Sequence, residues 1–555
     1  MVQSQDDKEI SPYAGRWVAR VRGKIVAQGE TAAEAEKSAR QTRSNETPEI
    51  IYIPNPLDNL TNPILTAIVG CLPRDLDVYL VGGAVRDFFL NRETHDLDFV
   101  VPKDGIKTAK FVAKALNGAF FPLDAKNDVG RVILTNEDQS REVLDFSSYR
   151  DKDLNADLFA RDLSINALAV NLRTRQLEDP VGGLADLREK RLRVCQSKSI
   201  INDPVRIIRT IRFAVGLGFA IEMETRQILK ESIGLLKEIS SERIRDEVFK
   251  IFDGPKPSTA IRALDILGAL PNIFPEILEL KGIKQPSPHV HDVWEHTLKA
   301  MDFLESFFGV LALDINSNVA NDLMTGFFTM KLSRFRKQFQ RHFVTPPNSE
   351  RSLRSLLFYS VLYHDIAKPE KAEIENGRIR FHGHDKEGGQ VAVKRAIKLR
   401  LSNSEMDRVK VIIQNHMRLV YHISRFEGEG KLPTRRAIYR FFRDTGDTGV
   451  DLSLLALADQ RATYDHEITQ QTWIACLDVV RIFLENWWEK REETISPPIL
   501  VNGDDLMTVL KIPPSPVVGK ILEAIRESQA MGIVQTKHDA LVLAKKVLSD
   551  NSTVK

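Results

Sequence analysis

One stretch of the chain, Leu80–Val101, constrains the fold more than any other: LVGGAVRDFFLNRETHDLDFVV. Two adjacent glycines turn the chain after an apolar run, and Asp96 and Asp98 stand in a second apolar run with one residue between them. In a β-strand, residues i and i+2 point to the same side. The spacing therefore predicts both carboxylates on one face of a strand, with Leu97 and Phe99 packed on the other.

The predicted carboxylate pair indicates a cation site. Two carboxylates a few ångström apart repel unless a cation lies between them, and Mg²⁺ takes oxygen ligands while bridging to phosphates. Backbone N–H groups at Gly82 and Gly83 can approach a triphosphate, with Arg86 available beside them. A lone D-x-D pattern is more typical of a solvated surface hairpin. Here the second glycine comes 13 residues before the pair, between two strand patterns, which favours the metal site.

Composition excludes several classes of protein. The net charge of +2, from 78 basic and 76 acidic residues, gives no global attraction for nucleic acid, so binding must use local patches. Cys71, Cys195 and Cys476 are far apart, which excludes a disulfide framework or cysteine zinc knuckle and indicates a reducing compartment. Neither a secretory pattern nor a long apolar run occurs. We therefore expect a soluble cytoplasmic protein with no membrane partner.

The patterns divide the chain into an α/β part and a helical part. Residues 14–53 predict a ββαβ module, with a hairpin, a helix from Glu30 to Arg43 and a strand at Glu49–Ile53. Helices then alternate with strands to about residue 195, and strand patterns stop after it. The predicted strands of this part are 77–81, 97–101, 131–134 and 142–146.

Five motifs in order resemble the class II tRNA nucleotidyltransferase and bacterial poly(A) polymerase family, within the DNA polymerase beta nucleotidyltransferase superfamily. They are GGAVRD with HDLDFVV, ARDLSINALAV, DPVGGLADLREKRLRV, NDPVRIIRTIRFA and SSERIRDEVFKI. The resemblance implies an α+β fold: a nucleotidyltransferase α/β head, then an all-α neck, body and HD-type helical domain. The expected domains are residues 1–55 (N-terminal module), 56–195 (head), 196–280 (neck, templating and RNA binding), 281–470 (HD-type) and 471–555 (tail, binding tRNA near its elbow).

The resemblance also implies two-metal nucleotidyl transfer to the 3′ end of tRNA from CTP and ATP. Asp96 and Asp98 would hold two Mg²⁺ ions, and Asp145 is either a third carboxylate or a structural residue at a strand end. Gly82, Gly83 and Arg86 join the expected nucleotide-binding set. Its further members are Arg161, Asp162 and Asn166, which would contact the ribose and phosphates, although Ala160 replaces a first arginine usual in the family.

The segment Asn202–Arg206 could be a capped helix start with an Asp–Arg pair. By resemblance, Asp203 and Arg206 are instead the protein template. A carboxylate only accepts hydrogen bonds and a guanidinium only donates them, which matches the amino and ring-nitrogen pattern shared by cytosine and adenine. Arg209 lies on the same helix side and is expected among the nucleotide-binding residues. Glu242 and Arg245 would buttress this helix, and Asn202 stands where the family usually has Glu.

Only nine residues, DKDLNADLF, separate Arg150 from the ARDLS motif, where relatives that add the whole CCA carry a longer flexible loop. The chain is therefore expected to add CCA or, if A addition needs the longer loop, only CC, which is our hypothesis. A poly(A) polymerase shares the head motifs and is the alternative.

A second constellation resembles the HD-domain metal phosphohydrolases. Its predicted ligands to a second divalent metal site are His296, His364, Asp365, His384, His416 and Asp459. It could hydrolyse 2′,3′-cyclic phosphates or phosphomonoesters, or have lost its metal and serve as an RNA-binding scaffold. A further alternative is an HD phosphohydrolase or scaffold with a vestigial head. Between these motifs, residues 331–343 place Phe335, Phe339 and Phe343 at helical spacing, which favours an ordinary buried stripe over an RNA-facing surface.

Overall fold

The computed structural model describes residues 16–21, 24–29, 31–42, 46–53, 57, 60, 62–94, 96–136, 141–312, 322–344 and 351–552. The chain forms two compact units. One comprises residues up to Arg206 together with 218–232, and the other comprises 207–217 and the residues from 233 onwards. No described helix is long and apolar enough to cross a membrane.

A small ββαβ module comes first, as predicted. Its three-stranded antiparallel sheet has the order Lys24–Gly29, Arg16–Val21, Glu49–Ile53. Helix Ala32–Thr42 covers one face because its small buried residues Ala35 and Ala39 pack with Ala19 of the central strand. The predicted turn at residues 22 and 23 lies outside the described residues.

A seven-stranded mixed sheet forms the head and confirms the α/β prediction. Strand Asp96–Val101 lies parallel to Arg141–Ser148 on one side and antiparallel to Tyr79–Val81 on the other. The full order is Leu177–Glu178, Ala169–Asn171, Tyr79–Val81, Asp96–Val101, Arg141–Ser148, Val129–Thr135, Ala119–Asp124. Its helices are Pro63–Cys71, Gly83–Phe89, Gly105–Ala115, Leu154–Phe159 and Gly183–Arg188, followed by Ser197–Asn202 and Met223–Ser232 in the same unit.

The core of the head lies on the side of the sheet opposite Asp96 and Asp98. Leu97 and Phe99 are 3% and 0% exposed, and the Phe99 ring stacks on Phe146 of the neighbouring strand with centroids 4.7 Å apart. Burial of these side chains fixes the strand register, since a slip by one residue would expose them and bury two carboxylates.

The second unit is helical, as predicted, apart from one hairpin. Its α-helices after residue 233 are Ser241–Asp253, Pro257–Leu267, Leu270–Ile273, Val293–Leu311, Leu323–Leu332, Arg336–Val344, Leu353–Tyr363, His384–Lys398, Asn403–Asn415, Met417–Glu429, Arg435–Thr445, Thr448–Tyr464, Gln470–Trp488, Arg491–Thr494, Gly503–Leu510, Pro516–Ala530 and Lys537–Ser552. The last three pack around a separate apolar cluster that includes Leu506, Ile521 and Ala540.

The expectation that strands stop after residue 196 is wrong in two places. Residues Ala220–Ile221 pair in parallel with Arg191–Leu192, and Glu373–Glu375 forms a hairpin with Arg378–Arg380. The hairpin turn is Asn376-Gly377, and both residues have positive φ, 51° and 73°. That geometry is the type I′ turn that Asn-Gly favours, because its twist matches that of paired strands.

The phenylalanine stripe is ordinary core. Phe335, Phe339 and Phe343 are 0%, 1% and 6% exposed, and the first two rings contact Trp488. The buried reading of residues 331–343 is therefore confirmed for these three rings.

Candidate active site and metal cage

Asp96 and Asp98 lie on one face of their strand, as the spacing predicts. Both side chains are exposed, whereas Leu97 between them is buried. The glycine turn lies beside this face: a Cβ added to Gly82 would come 3.6 Å from Asp98 Oδ2 and 3.2 Å from Arg161 Nη1. Gly82 also has φ 72°, which other residues rarely adopt. The structure thus brings the carboxylate pair, the turn and Arg161 together.

Asp98 lies close to three other charged residues, Arg161, Asp145 and Asp96. Partial desolvation there, opposed by Arg161 and reinforced by Asp145 and Asp96, raises the pKa of its carboxyl above the ordinary value. A bound cation would reverse this shift because it favours the ionised form. The arrangement fits divalent metal, since the oxygens of Asp96 and Asp98 face a space that Gly82 leaves open.

Asp145 lies in the same row as Asp98. The registers pair Asp98 with Asp145 and Asp145 with Arg131, so all three side chains share one face of the sheet. Arg131 donates from Nε and Nη2 to the two carboxylate oxygens of Asp145, at 2.8 and 2.7 Å. Asp145 therefore lies beside the carboxylate pair, and its charge is paired with the guanidinium of Arg131. Sequence reasoning missed Arg131, because only the strand register brings it to Asp145.

Arg86 is tied into a network rather than left open for a triphosphate. Its Nε and Nη2 donate to both oxygens of Asp87, at 2.9 and 2.8 Å, and its Nη1 donates to Asn166 Oδ1 at 2.7 Å. Asn166 in turn donates to Asp162 Oδ1 at 3.1 Å. Arg161, Asp162 and Asn166 are each 8% exposed. The network fixes Arg86, Asp162 and Asn166, three members of the predicted nucleotide-binding set, and Arg86 lies beside the Gly82–Gly83 turn.

The template pair is close together in the structure. Arg206 Nε lies 3.4 Å from Asp203 Oδ2, and Arg206 Nη1 donates to the carbonyl oxygen of Ala160 at 3.1 Å. Asn202 is not the cap of the next helix: it ends helix Ser197–Asn202, and the next helix begins at Arg206. Asp203 stands at the break between the two helices, where its backbone carbonyl accepts from the Arg206 N–H at 3.1 Å.

Arg209 lies in the second unit and pairs with a residue that sequence reasoning missed. Glu247, 3% exposed, accepts from Arg209 at 3.0 Å and from Arg212 at 2.9 Å. Burial raises the pKa of Glu247, but these guanidinium groups outweigh burial and bring the pKa below its ordinary value. The expected buttress of Glu242 and Arg245 is wrong, since both contact Arg400 instead. Glu247 was detectable as a buried-face acid of helix Ser241–Asp253.

The six residues of the second constellation meet in the helical unit. His296, His364 and Asp459 bring ligand atoms within 4.8 Å of one another, and so do Asp365, His384 and His416. Asp365 links the two groups: Oδ2 lies 3.3 Å from His364 Nε2, and Oδ1 lies 3.4 Å from His384 Nε2. All six side chains are buried. We call this set the metal cage.

The histidines of the metal cage have their ligand nitrogens pointing inward. In three of them Nδ1 lies 2.7 Å from a backbone carbonyl oxygen, which fixes the proton on Nδ1 and leaves the Nε2 lone pair for a ligand. These pairs are His364 with Val361, His384 with Phe381 and His416 with Ile413. The Nε2 atoms of His384 and His416 then face each other at 3.2 Å. Two lone pairs at that distance repel, so the cage fits a cation.

The carboxylates of the metal cage attract positive charge, either as a cation or as a proton on a neighbouring histidine. Burial alone would lower the pKa of His364, but Asp365 and Asp459 raise this pKa to about 10. Burial beside His384 and His364 lowers the pKa of His416 to about 4. Lys368, missed by sequence reasoning, is 6% exposed with Nζ 2.6 Å from Asp365 Oδ2. It brings a positive charge to the edge of the cage.

Matches to protein families agree with this organisation. Residues 78–193 match the family described as "Poly A polymerase head domain", and residues 218–280 match "Probable RNA and SrmB-binding site of polymerase A". Residues 8–56 match a family of unknown function.

Relatives cover most of the chain. It is 29% identical over 472 residues to the A-adding tRNA nucleotidyltransferase of Deinococcus radiodurans, spanning 83% of this chain and 93% of the relative. It is 28% identical over 472 residues to the CC-adding tRNA nucleotidyltransferase of Thermus thermophilus, spanning 84% and 92%. The solved Thermotoga maritima CCA-adding enzyme complexed with tRNA has a similar fold, with TM-score 0.54 and 19% identity over 89% of this chain and 97% of that chain.

Proposed function

We propose that this chain, which belongs to the class II tRNA nucleotidyltransferase family and has a poly A polymerase head domain, adds nucleotides to the 3′ end of tRNA. One observation carries the proposal: Asp96 and Asp98 share an open face beside the Gly82 turn, inside the segment 78–193 that matches the head family. The similarity to A-adding and CC-adding relatives over most of both chains supports tRNA as the acceptor.

Different residues of the head have different roles in nucleotidyl transfer. Asp96 and Asp98, with Asp145 beside them, would hold Mg²⁺, which when bound lowers the pKa of the RNA 3′-hydroxyl and neutralises charge on the leaving pyrophosphate. The 3′-oxygen attacks the α-phosphorus of the nucleoside triphosphate, and the bond to pyrophosphate breaks. Arg161, held by Asp157 with N···O distances of 3.2 Å, supplies a fixed positive charge next to Asp98. Positioning accounts for most of the acceleration in such reactions.

Asp203 and Arg206 select the base by hydrogen-bond pattern. The carboxylate accepts from the exocyclic amino group of cytosine or adenine, and the guanidinium donates to the ring nitrogen. Uracil and guanine present the opposite order, which would leave buried polar groups unpaired. We predict that Arg206→Ala reduces the preference for CTP over UTP about tenfold or more, measured as the ratio of kcat/KM values. An unchanged ratio would contradict the template role, and Arg226→Ala, outside the proposed site, serves as the control.

The expected product is CC, a part of the CCA sequence. The nine residues after Arg150 include a short helix, Leu154–Phe159. Its N-cap is Asp153, whose side chain accepts from the Ala156 N–H at 2.8 Å. Asp157 of this helix is fully buried and holds Arg161. A segment fixed in this way has little freedom to reshape a pocket from C to A.

Single-turnover extension tests both the activity and the product. The substrates are tRNAs ending at the discriminator base, at C and at CC, each offered CTP, ATP, UTP or GTP. Addition of two C residues to the first tRNA and no A to the last is expected. Addition of A to the CC-ended tRNA alone would identify an A-adding enzyme, and long A-tails from ATP alone would identify a poly(A) polymerase. No incorporation on any tRNA would contradict the proposal.

We also propose that the metal cage is a second active site, a metal-dependent phosphohydrolase of HD type. The inward-facing Nε2 atoms of His384 and His416 at 3.2 Å carry this proposal, because two lone pairs at that distance repel and a shared cation would relieve the repulsion. His296, His364 and Asp459 would hold one ion, and Asp365, His384 and His416 another; the ions, when bound, would supply an activated water. Metal analysis of the purified chain and hydrolysis assays with Mg²⁺, Mn²⁺, Ni²⁺ and Co²⁺ test it. Retention of no metal and hydrolysis under none of these conditions would contradict it.

A further inference from the structure

The metal cage opens into a cavity of about 550 Å³ that runs from a buried floor to an exposed rim. The floor contains Asp365, His384 and His416, which are all buried. The rim contains Arg378 and Arg380, whose side chains are exposed. A phosphate bound at the floor would therefore leave the rest of its molecule directed towards these arginines.

The two rim arginines belong to the hairpin that sequence reasoning missed. They stand at positions i and i+2 of one strand and so point to the same side. Their cross-strand neighbours Glu373 and Glu375 lie on that side too. Of the two hairpin strands, however, only Arg378–Arg380 contributes residues to the cavity lining. The type I′ turn at Asn376-Gly377 gives this short hairpin a defined twist. The cations therefore stand at a fixed place beside the opening.

Arg378 and Arg380 form no ion pair or side-chain hydrogen bond within the part of the chain that the structure describes. By contrast, Arg395, on the helix that begins at His384, donates to Glu276 at 2.6 Å. The lining of the same cavity also includes apolar surface, with Met417 exposed at 40% and Val420 and Tyr464 partly exposed. Unpaired guanidinium groups in a cavity that also has apolar lining suit a nucleic-acid strand, because arginine binds phosphates and bases pack on apolar surfaces.

We propose that Arg378 and Arg380 recognise the backbone phosphates of an RNA strand whose 3′-terminal phosphate is bound at the metal cage. The inference rests on the proposed phosphohydrolase function and names its substrate: a phosphorylated RNA 3′ end rather than a free nucleotide. Water adds its oxygen to the terminal phosphorus, the bond from phosphorus to the ribose 3′-oxygen breaks, and a proton from water passes to that oxygen. The products are inorganic phosphate and a 3′-hydroxyl, the group that the head is proposed to extend.

The test compares the double variant R378A/R380A with a matched control, K398A/K410A, which removes two exposed charges that do not line the cavity. The substrates are a pentanucleotide RNA with a 3′-phosphate and the mononucleotide cytidine 3′-monophosphate. We expect R378A/R380A to raise KM for the pentanucleotide about 20-fold, while kcat and the kcat/KM for the mononucleotide stay within about twofold. The slope of log KM against log salt should fall by about 1.4, or 0.7 per lost phosphate contact. The control should change none of these.

A binding measurement separates this inference from the function on which it rests. With divalent ions chelated, the pentanucleotide carrying 4-thiouridine next to its 3′-terminal nucleotide is photocrosslinked to the full chain, and the crosslinked peptide is identified by mass spectrometry. Crosslinking to residues 373–382 that R378A/R380A abolishes is the expected result. Crosslinking only elsewhere, an unchanged KM for RNA, or an equal rise in KM for RNA and for the mononucleotide would overturn the inference. Hydrolysis of neither substrate would instead overturn the phosphohydrolase proposal, while the crosslink still decides the role of the hairpin.

Discussion

The three carboxylates of the head differ in their immediate surroundings. Asp96 and Asp98 face open space, whereas both oxygens of Asp145 accept from Arg131 at 2.8 and 2.7 Å. A carboxylate with a bidentate partner still has lone pairs to offer, but its charge is largely compensated. Asp145 can therefore be a metal-site residue or half of a structural ion pair, and two variants distinguish these roles.

Asp145→Asn and Arg131→Met both disrupt the bidentate ion pair between these two side chains. If Asp145 contributes to the metal site, Asp145→Asn should lower kcat about 100-fold or more, while Arg131→Met should lower it about tenfold or less and shift the Mg²⁺ concentration for half-maximal rate downwards. Steady-state extension across a Mg²⁺ titration measures both. Each variant should lose on the order of 1 kcal/mol of stability or less, because the pair is partly exposed. Equal losses of kcat with no change in the Mg²⁺ dependence would indicate a structural pair.

For individual residues, the sequence predicted features that depend on local spacing better than contacts between residues that are distant in the chain. Asp96 and Asp98 could be assigned to one face because a strand has a strict period of two. Arg131 and Glu247 could not be assigned to their partners, because Asp145 and Arg209 reach them only through strand register and helix packing. The proposed roles of Arg86 and Asn202 illustrate the same limit: the hydrogen bonds of Arg86 to Asn166 and the end of a helix at Asn202 depend on tertiary contacts.

Among the elements, helix Asn403–Asn415 delivers His416 to the metal cage and begins with a capping box. Ser402 and Glu405 satisfy each other's backbone N–H groups, and Glu405 also accepts from the buried Arg351 at 2.9 Å. The carboxylate therefore has two tasks, one at the helix start and one in a buried ion pair.

Glu405→Ala should reduce the free energy of unfolding of the helical unit by about 3 kcal/mol, because it leaves Arg351 buried without its carboxylate. It should also reduce the metal retained by the cage, since His416 follows this helix. Urea unfolding and elemental analysis measure the two effects. Asp407→Ala, an exposed acid on the same helix, is the control. A variant as stable as that control would contradict this account of the helix start.

Helix Val293–Leu311 carries both His296 and the partly buried acid Glu305, whose Oε1 accepts from the Ser258 N–H at 2.6 Å. Burial raises the pKa of Glu305 from 4.5 to about 8. A raised folded-state pKa gives stability that is fully present below pH 4.5 and is lost as the pH rises through 8. Glu305→Gln should therefore match wild type at pH 5 and melt at a higher temperature at pH 9. Equal melting temperatures at pH 9 would contradict the assignment.

The elements were predictable to the extent that their signals were local. The head strands and the ββαβ module follow from alternation and glycine turns, and the structure confirms them within a few residues. The hairpin at 373–380 carries an Asn-Gly signal, but its strands of three residues are too short for alternation to stand out from the surrounding helices.

At the scale of the whole molecule, each compact unit contains its own proposed site. The carboxylate pair, the glycine turn and the template pair all lie in the unit that includes residues up to Arg206, and the whole metal cage lies in the other. Loss of one site should therefore leave the other working. The family resemblance predicted the carboxylate pair and the metal cage in separate domains, but it assigned Asp203 and Arg206 to the neck rather than to the unit of the carboxylate pair. The pairing of Arg209 with Glu247 follows only from the fold.

The most direct test of the central claim is single-turnover extension of a tRNA ending at its discriminator base by wild type, Asp98→Asn and the control Asp75→Asn, which changes an exposed acid of the same unit. We predict that wild type and Asp75→Asn incorporate CMP at similar rates, and that Asp98→Asn loses at least about 1,000-fold in rate with an unchanged melting temperature. If Asp98→Asn extends the tRNA within tenfold of the wild-type rate, the paired carboxylates are not the centre of nucleotidyl transfer.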